Sequence, residues 1–396
     1  MVHPNIKKFT FFQIFKSFDF VVPIFVIFWK SNDLNLTEIM ILQSFFAIFV
    51  VLLEVPTGYL ADIFGRKNSL VLGAVFYSLG FFFYFLGYNF WQFLIAEFIL
   101  AISISLISGA DSAFIYDSIL ENNPDKTDLE KEKRFQKFFG SINFYGLIAL
   151  SVSTMVGGVL VGMKIISIRY LILLNAIFLI PAIIISFSFR EPKIKKIIFN
   201  DSYLKNLFLI FKKSFYEPKI RYLIFYSAII FSLNQACLWL YQPYLELCGV
   251  DILYFGLIFA SFNIVAAISS KYAHHFEKKF PRASLFLPVV LLVFSYFLMA
   301  KFIFIFAFIF IYLQQFTRSF YKVVMNDWLN KIILSENRAT ICSIQSMVSR
   351  LLYALFLPFV GMVGDKFSLI TALYFLGFLT LFLGFFSFYK FKKVLN

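Results

Sequence analysis

The chain has 396 residues, of which 61% are hydrophobic and only 15% charged, with a mean hydropathy of +0.83 and a formal charge of +14. Soluble domains are about 45–50% apolar and about 25% charged, so a water-soluble fold is excluded and a polytopic membrane protein is expected. The positive charge does not indicate nucleic acid, because the basic residues follow the ends of apolar runs instead of marking one face of a domain.

A spanning helix takes about 20 largely apolar residues, and twelve runs meet that length. In the first half they are 11–29, 37–57, 68–87, 91–116, 137–163 and 168–189; in the second, 221–246, 252–272, 283–300, 302–327, 339–363 and 368–389. The N-terminal stretch MVHPNIKKFTFFQIF carries no small-residue cleavage site, so the first run reads as a retained span. With the N-terminus in the cytoplasm, the inner segments hold 27 Lys and Arg and the outer loops only five: Lys30, Lys164, Arg169, Lys301 and Lys366. That bias predicts both termini inside. The 59 phenylalanines fit an AT-rich coding bias and a lipid-facing surface.

The longest polar interruption divides six runs from six, giving expected domains 1–190 and 220–396 around a cytoplasmic linker 191–219. Within it, IIFNDSYLKNLFLIFKK reads either as an amphipathic helix on the inner leaflet or as a solvated basic linker. After the eighth run, SKYAHHFEKKF can be laid over GYLADIFGRKN: Ala273 falls on Ala61, Phe276 on Phe64, and Lys278–Lys279 on Arg66–Lys67. His274 then replaces Asp62 and Glu277 replaces Gly65. Two parallel six-span repeats are expected.

An ionisable side chain at the bilayer centre costs about 2.5–3.5 kcal/mol on insertion scales and usually faces a cavity. With Arg169 assigned to an outer loop, runs 3, 6, 9 and 12 contain no such residue, while Asp19, Glu54, Glu97, Asp111, Arg318, Lys322 and Arg350 fall on runs 1, 2, 4, 10 and 11. A central polar cavity is the simplest explanation. Asp19 sits mid-span in FKSFDFVVPIF, and Arg350 lies eleven residues into its run, about 16 Å along the axis. Asp19 is the first candidate for a proton-coupling carboxylate, with Glu97 or Asp111 as alternatives and Arg350 as modulator or counter-charge. A static salt bridge is the competing reading for the pair. Glu97, six residues into its run, is within reach of the outer interface by snorkelling.

Uncharged polarity adds candidate substrate contacts: Asn234, Gln235, Trp239 and Gln242 in LNQACLWLYQPYLE, and Gln314, Gln315 and Gln345, with the charged Arg318 beside them. Interhelical hydrogen bonding explains each equally well. Cys237, Cys248 and Cys342 lack ligand spacing, and His274 and His275 read as a solvated pair in a basic loop, so no metal site and no cofactor are expected. No GxxxxGK[ST] loop supports ATP coupling. Asp111 and Asp117 are six apart, unlike the DDxxD of prenyl-diphosphate chemistry, so an enzyme is disfavoured.

Gly58-x-Leu60-Ala61-Asp62-x-x-Gly65-Arg66-Lys67 resembles the signature loop between helices 2 and 3 of the major facilitator superfamily. The resemblance implies an all-α fold of twelve transmembrane helices in two six-helix pseudo-repeats, alternating access to a small-molecule substrate, and a monomer in the bilayer. It also implies that Gly58, Asp62, Gly65, Arg66 and Lys67 form a conformational latch. The candidate partners are the start of helix 11 near Ala339–Thr340 for Asp62 and Asp117 for Arg66; a positive-inside anchor is the alternative. The phrases LEVPTG, SGADSAFIYDSI and RATICSIQSMVSRLLY resemble bacterial drug or metabolite exporters, implying proton antiport at the inner membrane. Two departures weaken the direction. Glu97 stands where many members have Arg, and the exporter run of helix 5 is reduced to Gly140, Ala149, Ser153, Thr154, Gly157 and Gly158 without proline. The expected function is proton-coupled export of a small amphipathic molecule. Uptake of a nutrient or metal-chelate, and lipid movement or a non-transporting role, are the alternatives.

Overall fold

The computed structural model describes residues 4–122, 127–192, 216–333 and 338–395; all regular structure in them is helical. The helices are α1 (Pro4–Ser17), α2 (Phe25–Lys30), α3 (Leu36–Phe64), α4 (Arg66–Leu86), α5 (Phe90–Ser108), α6 (Asp111–Asn122), α7 (Asp128–Gly162), α8 (Ile168–Phe178) and α9 (Ile180–Phe187). They continue with α10 (Pro218–Ala236), α11 (Tyr241–Leu247), α12 (Ile252–Lys279), α13 (Pro281–Lys301), α14 (Ile311–Ile332), α15 (Arg338–Lys366), α16 (Leu369–Leu379) and α17 (Phe385–Leu395). Among the described residues, eleven spans are long and apolar enough to cross a membrane. The tenth predicted run, 302–327, corresponds to α14: Gln314, Gln315, Arg318, Lys322, Asn326, Asp327, Asn330 and Lys331 make it too polar to count by composition.

The helices cluster into two units. Unit 1 comprises Met1–Asp33, Phe45–Ile198 and Ile252–Ala260; unit 2 comprises Leu34–Ser44, Phe199–Asp251 and Ser261–Asn396. Small residues let helices approach closely in lipid. In unit 1 a Cβ on Gly73 would lie 2.5 Å from Ile107 and one on Gly80 would lie 2.4 Å from Leu100. Serine hydroxyls tie the same crossing of α4 and α5: Ser69 donates to the Leu106 carbonyl at 2.8 Å and Ser103 to that of Gly73 at 2.7 Å. Phe9, Phe12, Phe114 and Phe189 fill the core beside it. In unit 2, Ser232 of α10 donates to the Ser349 carbonyl of α15 at 2.9 Å, and Tyr321 to the Ser227 carbonyl at 2.6 Å. Asp365 caps α3 there, accepting from the Leu36 and Thr37 amides at 3.1 and 2.7 Å and from the Thr37 hydroxyl at 2.5 Å.

Several boundaries differ from the sequence reading. The first span begins at Pro4 and breaks after Ser17, and the fourth breaks at Gly109–Ala110. Helix α3 runs to Phe64, so the signature loop shrinks to a single residue, Gly65. Helix α12 continues to Lys279, which puts His274 and His275 on a helix and not in a basic loop. Apolar content marks the hydrocarbon thickness, but helices continue past it wherever backbone bonding persists. The amphipathic reading of 197–213 lies outside the described residues.

Candidate functional site

The break in the first span has a local cause. Pro23 has no N–H to bond the carbonyl four residues earlier, that of Asp19, and its ring crowds that carbonyl. The α region is also disfavoured for Val22, the residue before it. The chain leaves α1 after Ser17, passes through Phe18–Val21, and re-enters through a 3-10 turn, Val22–Ile24, before α2. Backbone groups freed inside a membrane protein need replacement partners, and helices α7 and α8 supply them. The Ser153 hydroxyl accepts from the Asp19 amide at 2.9 Å, and its single proton is shared between the Asp19 carbonyl at 3.2 Å and the Leu150 carbonyl of its own helix at 3.0 Å. Asn175 Oδ1 accepts from the Phe20 amide at 3.0 Å. The Asp19 carboxylate turns back onto the Val21 amide at 3.1 Å.

One turn beyond Ser153, Gly157 lets α7 close on the break: a Cβ there would sit 2.0 Å from the Phe20 carbonyl oxygen. Two of the small residues aligned with the exporter run of helix 5, Ser153 and Gly157, therefore hold the broken segment that carries Asp19. Gly158 and Gly162 serve a second crossing, abutting the backbone of Gly256 and Leu253.

The fourth span breaks at Gly109–Ala110, and Asp111 opens α6, where a carboxylate at a helix start is favoured by the dipole. Its Oδ1 accepts the Ser112 amide at 2.5 Å. Lys16, in the last turn of α1, interacts electrostatically with Asp111. Sequence reasoning passed over Lys16, although its place three residues before Asp19 was the available signal. Three spans of unit 1 are broken, at Phe18–Val21, at Gly109–Ala110 and at Leu179; the first two breaks each carry a half-buried carboxylate, and a half-buried lysine flanks the first. Tyr77 of α4 is within electrostatic reach of Asp19.

Glu97 does not snorkel to the outer interface. It is 3% exposed, and its Oε1 accepts the Tyr84 hydroxyl at 2.6 Å within a cluster of Phe25, Trp29, Tyr84 and Phe93 rings. Only the tertiary fold could show this, since Tyr84 and Trp29 come from different helices. Glu54 is half-buried on α3, four residues before Gly58.

At the signature stretch, Gly65 has φ +95°, a left-handed backbone that favours glycine. Its missing side chain also makes room for Glu191, which a Cβ would meet at 2.9 Å. The Glu191 carboxylate accepts the Arg66 and Lys67 amides at 2.8 Å each, capping α4 from 125 residues away. This residue was missed, because nothing local in REPK marks it as a cap. Arg66 pairs with Asp117 of α6 and also donates to the Ala113 carbonyl at 2.9 Å. Asp62 lies in the last turn of α3, where the helix dipole opposes a carboxylate, and the nearby Arg66 offsets that charge. Gly58 packs near Gly109 of the fourth span.

In unit 2 the polar candidates separate into two sets. Gln314 is fully buried; it accepts the Tyr241 hydroxyl at 2.9 Å, and its amide donates to Cys237 and Met299 sulfurs. Asn234 is buried and donates to the Gln314 carbonyl at 3.1 Å, Gln315 donates to the Tyr241 hydroxyl at 3.3 Å, and Gln242 is 2% exposed. These bonds hold the helices together. Gln235, Trp239 and Gln345 remain half-buried, and Arg318 and Lys322 are exposed. The Trp239 indole donates to the Tyr353 hydroxyl at 2.7 Å. Arg350, on α15, is half-buried, with its Nε lacking a hydrogen-bond partner among the described residues.

The family model of the Major Facilitator Superfamily matches residues 9–351. The chain is a member of that superfamily. Solved structures of the fold superpose over almost the whole length. The nucleoside transporter NupG is 12% identical with a TM-score of 0.80, covering 99% of this chain and 99% of its own. A bacterial homolog of the human lysosomal transporter Spinster, inward-facing and unoccupied, is 15% identical with a TM-score of 0.78, covering 98% and 97%. No curated protein matches the sequence significantly. As a superfamily member, the protein is a multi-pass membrane transporter of small molecules and not an enzyme.

Proposed function

We propose that this transporter is a proton-coupled exporter of a small amphipathic solute in the bacterial inner membrane, with both termini cytoplasmic. The observation that carries the reading is the pairing of helix breaks with carboxylates in unit 1: Asp19 at the first, Asp111 at the second, with Lys16 alongside. Discontinuous helices near the bilayer midplane are where transporters place ions and substrates. A carboxylate on such a segment can take up and release a proton as access alternates, and Lys16 supplies a charge that competes for it. Asp19 is the coupling residue in this reading, Asp111 its neighbour, Glu97 a reserve site, and Arg350 the counter-charge of the other half. Gln235, Trp239, Arg318 and Gln345 are the substrate contacts, while Asn234, Gln242 and Gln314 support them from within the packing. Arg66, Asp62 and Asp117, with Gly58, Gly65 and Lys67, work as the latch of the first half. Export, and not uptake, is favoured by the likeness of LEVPTG and SGADSAFIYDSI to exporter phrases.

The test uses purified protein in liposomes. A pH step is imposed, internal pH is followed, and panels of cationic, anionic and neutral solutes are added to wild type and Asp19→Asn. One solute class is expected to move protons in wild type and not in the variant, and the sign of the pH change gives the direction of flux. A variant that couples as wild type does would remove Asp19 from the mechanism.

A further inference from the structure

Where the second half echoes the signature stretch, unit 2 gathers a different set of side chains. His274 and Glu277 are three residues apart on α12 and so share a face; Asp327 and Lys331 are four apart on α14. The four meet. His274 Nδ1 lies 2.7 Å from Asp327 Oδ2, and Lys331 reaches the Glu277 carboxylate. One donor atom each from His274, Glu277 and Asp327 falls within 4.8 Å of the other two. Glu277 is 1% exposed, and a buried carboxylate needs a matching cation. The cation there, the Lys331 ammonium, sits on a half-exposed and flexible side chain. Two carboxylates, Glu277 and Asp327, thus share the cluster with the Lys331 ammonium.

We propose that His274, Glu277 and Asp327 bind a divalent transition-metal ion, Zn²⁺ by donor set, which tethers α12 to α14. One imidazole nitrogen and two carboxylate oxygens suit that ion, and three protein ligands leave a position for water. In the metal-free protein the Lys331 ammonium occupies the cation position. On binding it is displaced to solvent, and the ion adds one more positive charge than the lysine supplied. His275 is exposed, its ring centroid 6.3 Å from that of His274, and it is not one of the three residues whose donor atoms converge. The site was invisible in the sequence because Asp327 is 53 residues from His274. The inference is independent of the direction of transport and of its coupling ion.

The experiment is calorimetric titration of Zn²⁺ into chelator-treated, detergent-solubilised full-length protein lacking any polyhistidine tag. One saturable, chelator-reversible equivalent is expected in wild type. His274→Ala and Asp327→Asn should weaken it by about tenfold or more each, and His275→Ala should leave it unchanged. Lys331→Met should tighten it severalfold, because the competing ammonium is gone; a misfolded variant could not produce that gain. Absence of saturable Zn²⁺ binding in both wild type and Lys331→Met, or equal affinity in His274→Ala and wild type, would overturn the proposal.

Discussion

Replacing Gly157 by alanine drives a methyl group into the backbone of the segment that carries Asp19. The added carbon would lie 2.0 Å from the Phe20 carbonyl oxygen, 2.8 Å from its carbon and 3.0 Å from Cα, whereas ordinary contact begins at 3.4 Å. Backbone cannot rotate away as a side-chain tip can, so α7 and the broken segment must separate by about 1.4 Å. Overpacking of this kind costs about 1–3 kcal/mol. The same movement stretches both Ser153 bonds to Asp19, now 2.9 and 3.2 Å, beyond hydrogen-bonding range, for roughly a further 1 kcal/mol. Alanine returns about 1 kcal/mol through helix propensity. The net loss is about 1–3 kcal/mol, and 2 kcal/mol corresponds to about a thirtyfold fall in the equilibrium constant that favours the working geometry. Gly140, on the same helix, is the matched control, because an added Cβ there would meet nothing within 4 Å; its alanine variant should be neutral or slightly stabilised. Thermal unfolding in detergent and proton-linked flux in liposomes, measured on both variants, give the comparison. If Gly157→Ala retains the stability and flux of Gly140→Ala, the close approach of α7 to the break does not hold Asp19 and the reasoning fails.

Tyr84→Phe removes the hydroxyl that donates to buried Glu97 and should lower stability by about 1–3 kcal/mol; an unchanged unfolding temperature would show that the carboxylate is satisfied by other groups. Asp365→Ala strips the cap from α3 and should cost about 0.5–2 kcal/mol, read as faster hydrogen exchange at Leu36–Thr37, with Asp365→Asn recovering part of it. Arg66→Lys cannot serve both the Asp117 carboxylate and the Ala113 carbonyl with one fork of donors. It should cost about 1 kcal/mol at this partly exposed site, and a double-mutant cycle with Asp117→Asn should be non-additive. Strict additivity would mean that the pair contributes nothing.

Much of the architecture was legible in the sequence because the bilayer imposes it. Twenty apolar residues are needed to cross, and the signature stretch from Gly58 to Lys67 is contiguous, so membrane class, span number and superfamily could all be read along one line. Proline and glycine mark the two breaks that carry carboxylates, at Pro23 and Gly109, yet apolar run length alone reads straight through them and leaves Asp19 on an unbroken helix. The tenth span illustrates the opposite limit. Its polar content hides it from a compositional search over α14, while the reading by run length counted 302–327 among the twelve.

What the sequence could not reveal is partnership across the chain. Ser153 answering the orphaned carbonyl of Asp19, Glu191 capping α4, Tyr84 reaching Glu97, and Asp327 meeting His274 all join residues brought together only by helix packing. Local rules fix where a helix stops, because the missing N–H and the permitted backbone angles belong to the residues themselves. Which group then satisfies the freed amide, or shares a buried charge, depends on what the fold brings within about 3 Å. The sequence therefore determined a twelve-helix superfamily transporter with charges in its membrane spans, and the tertiary structure decided which of those charges are packed away, which sit on broken helices, and which are paired.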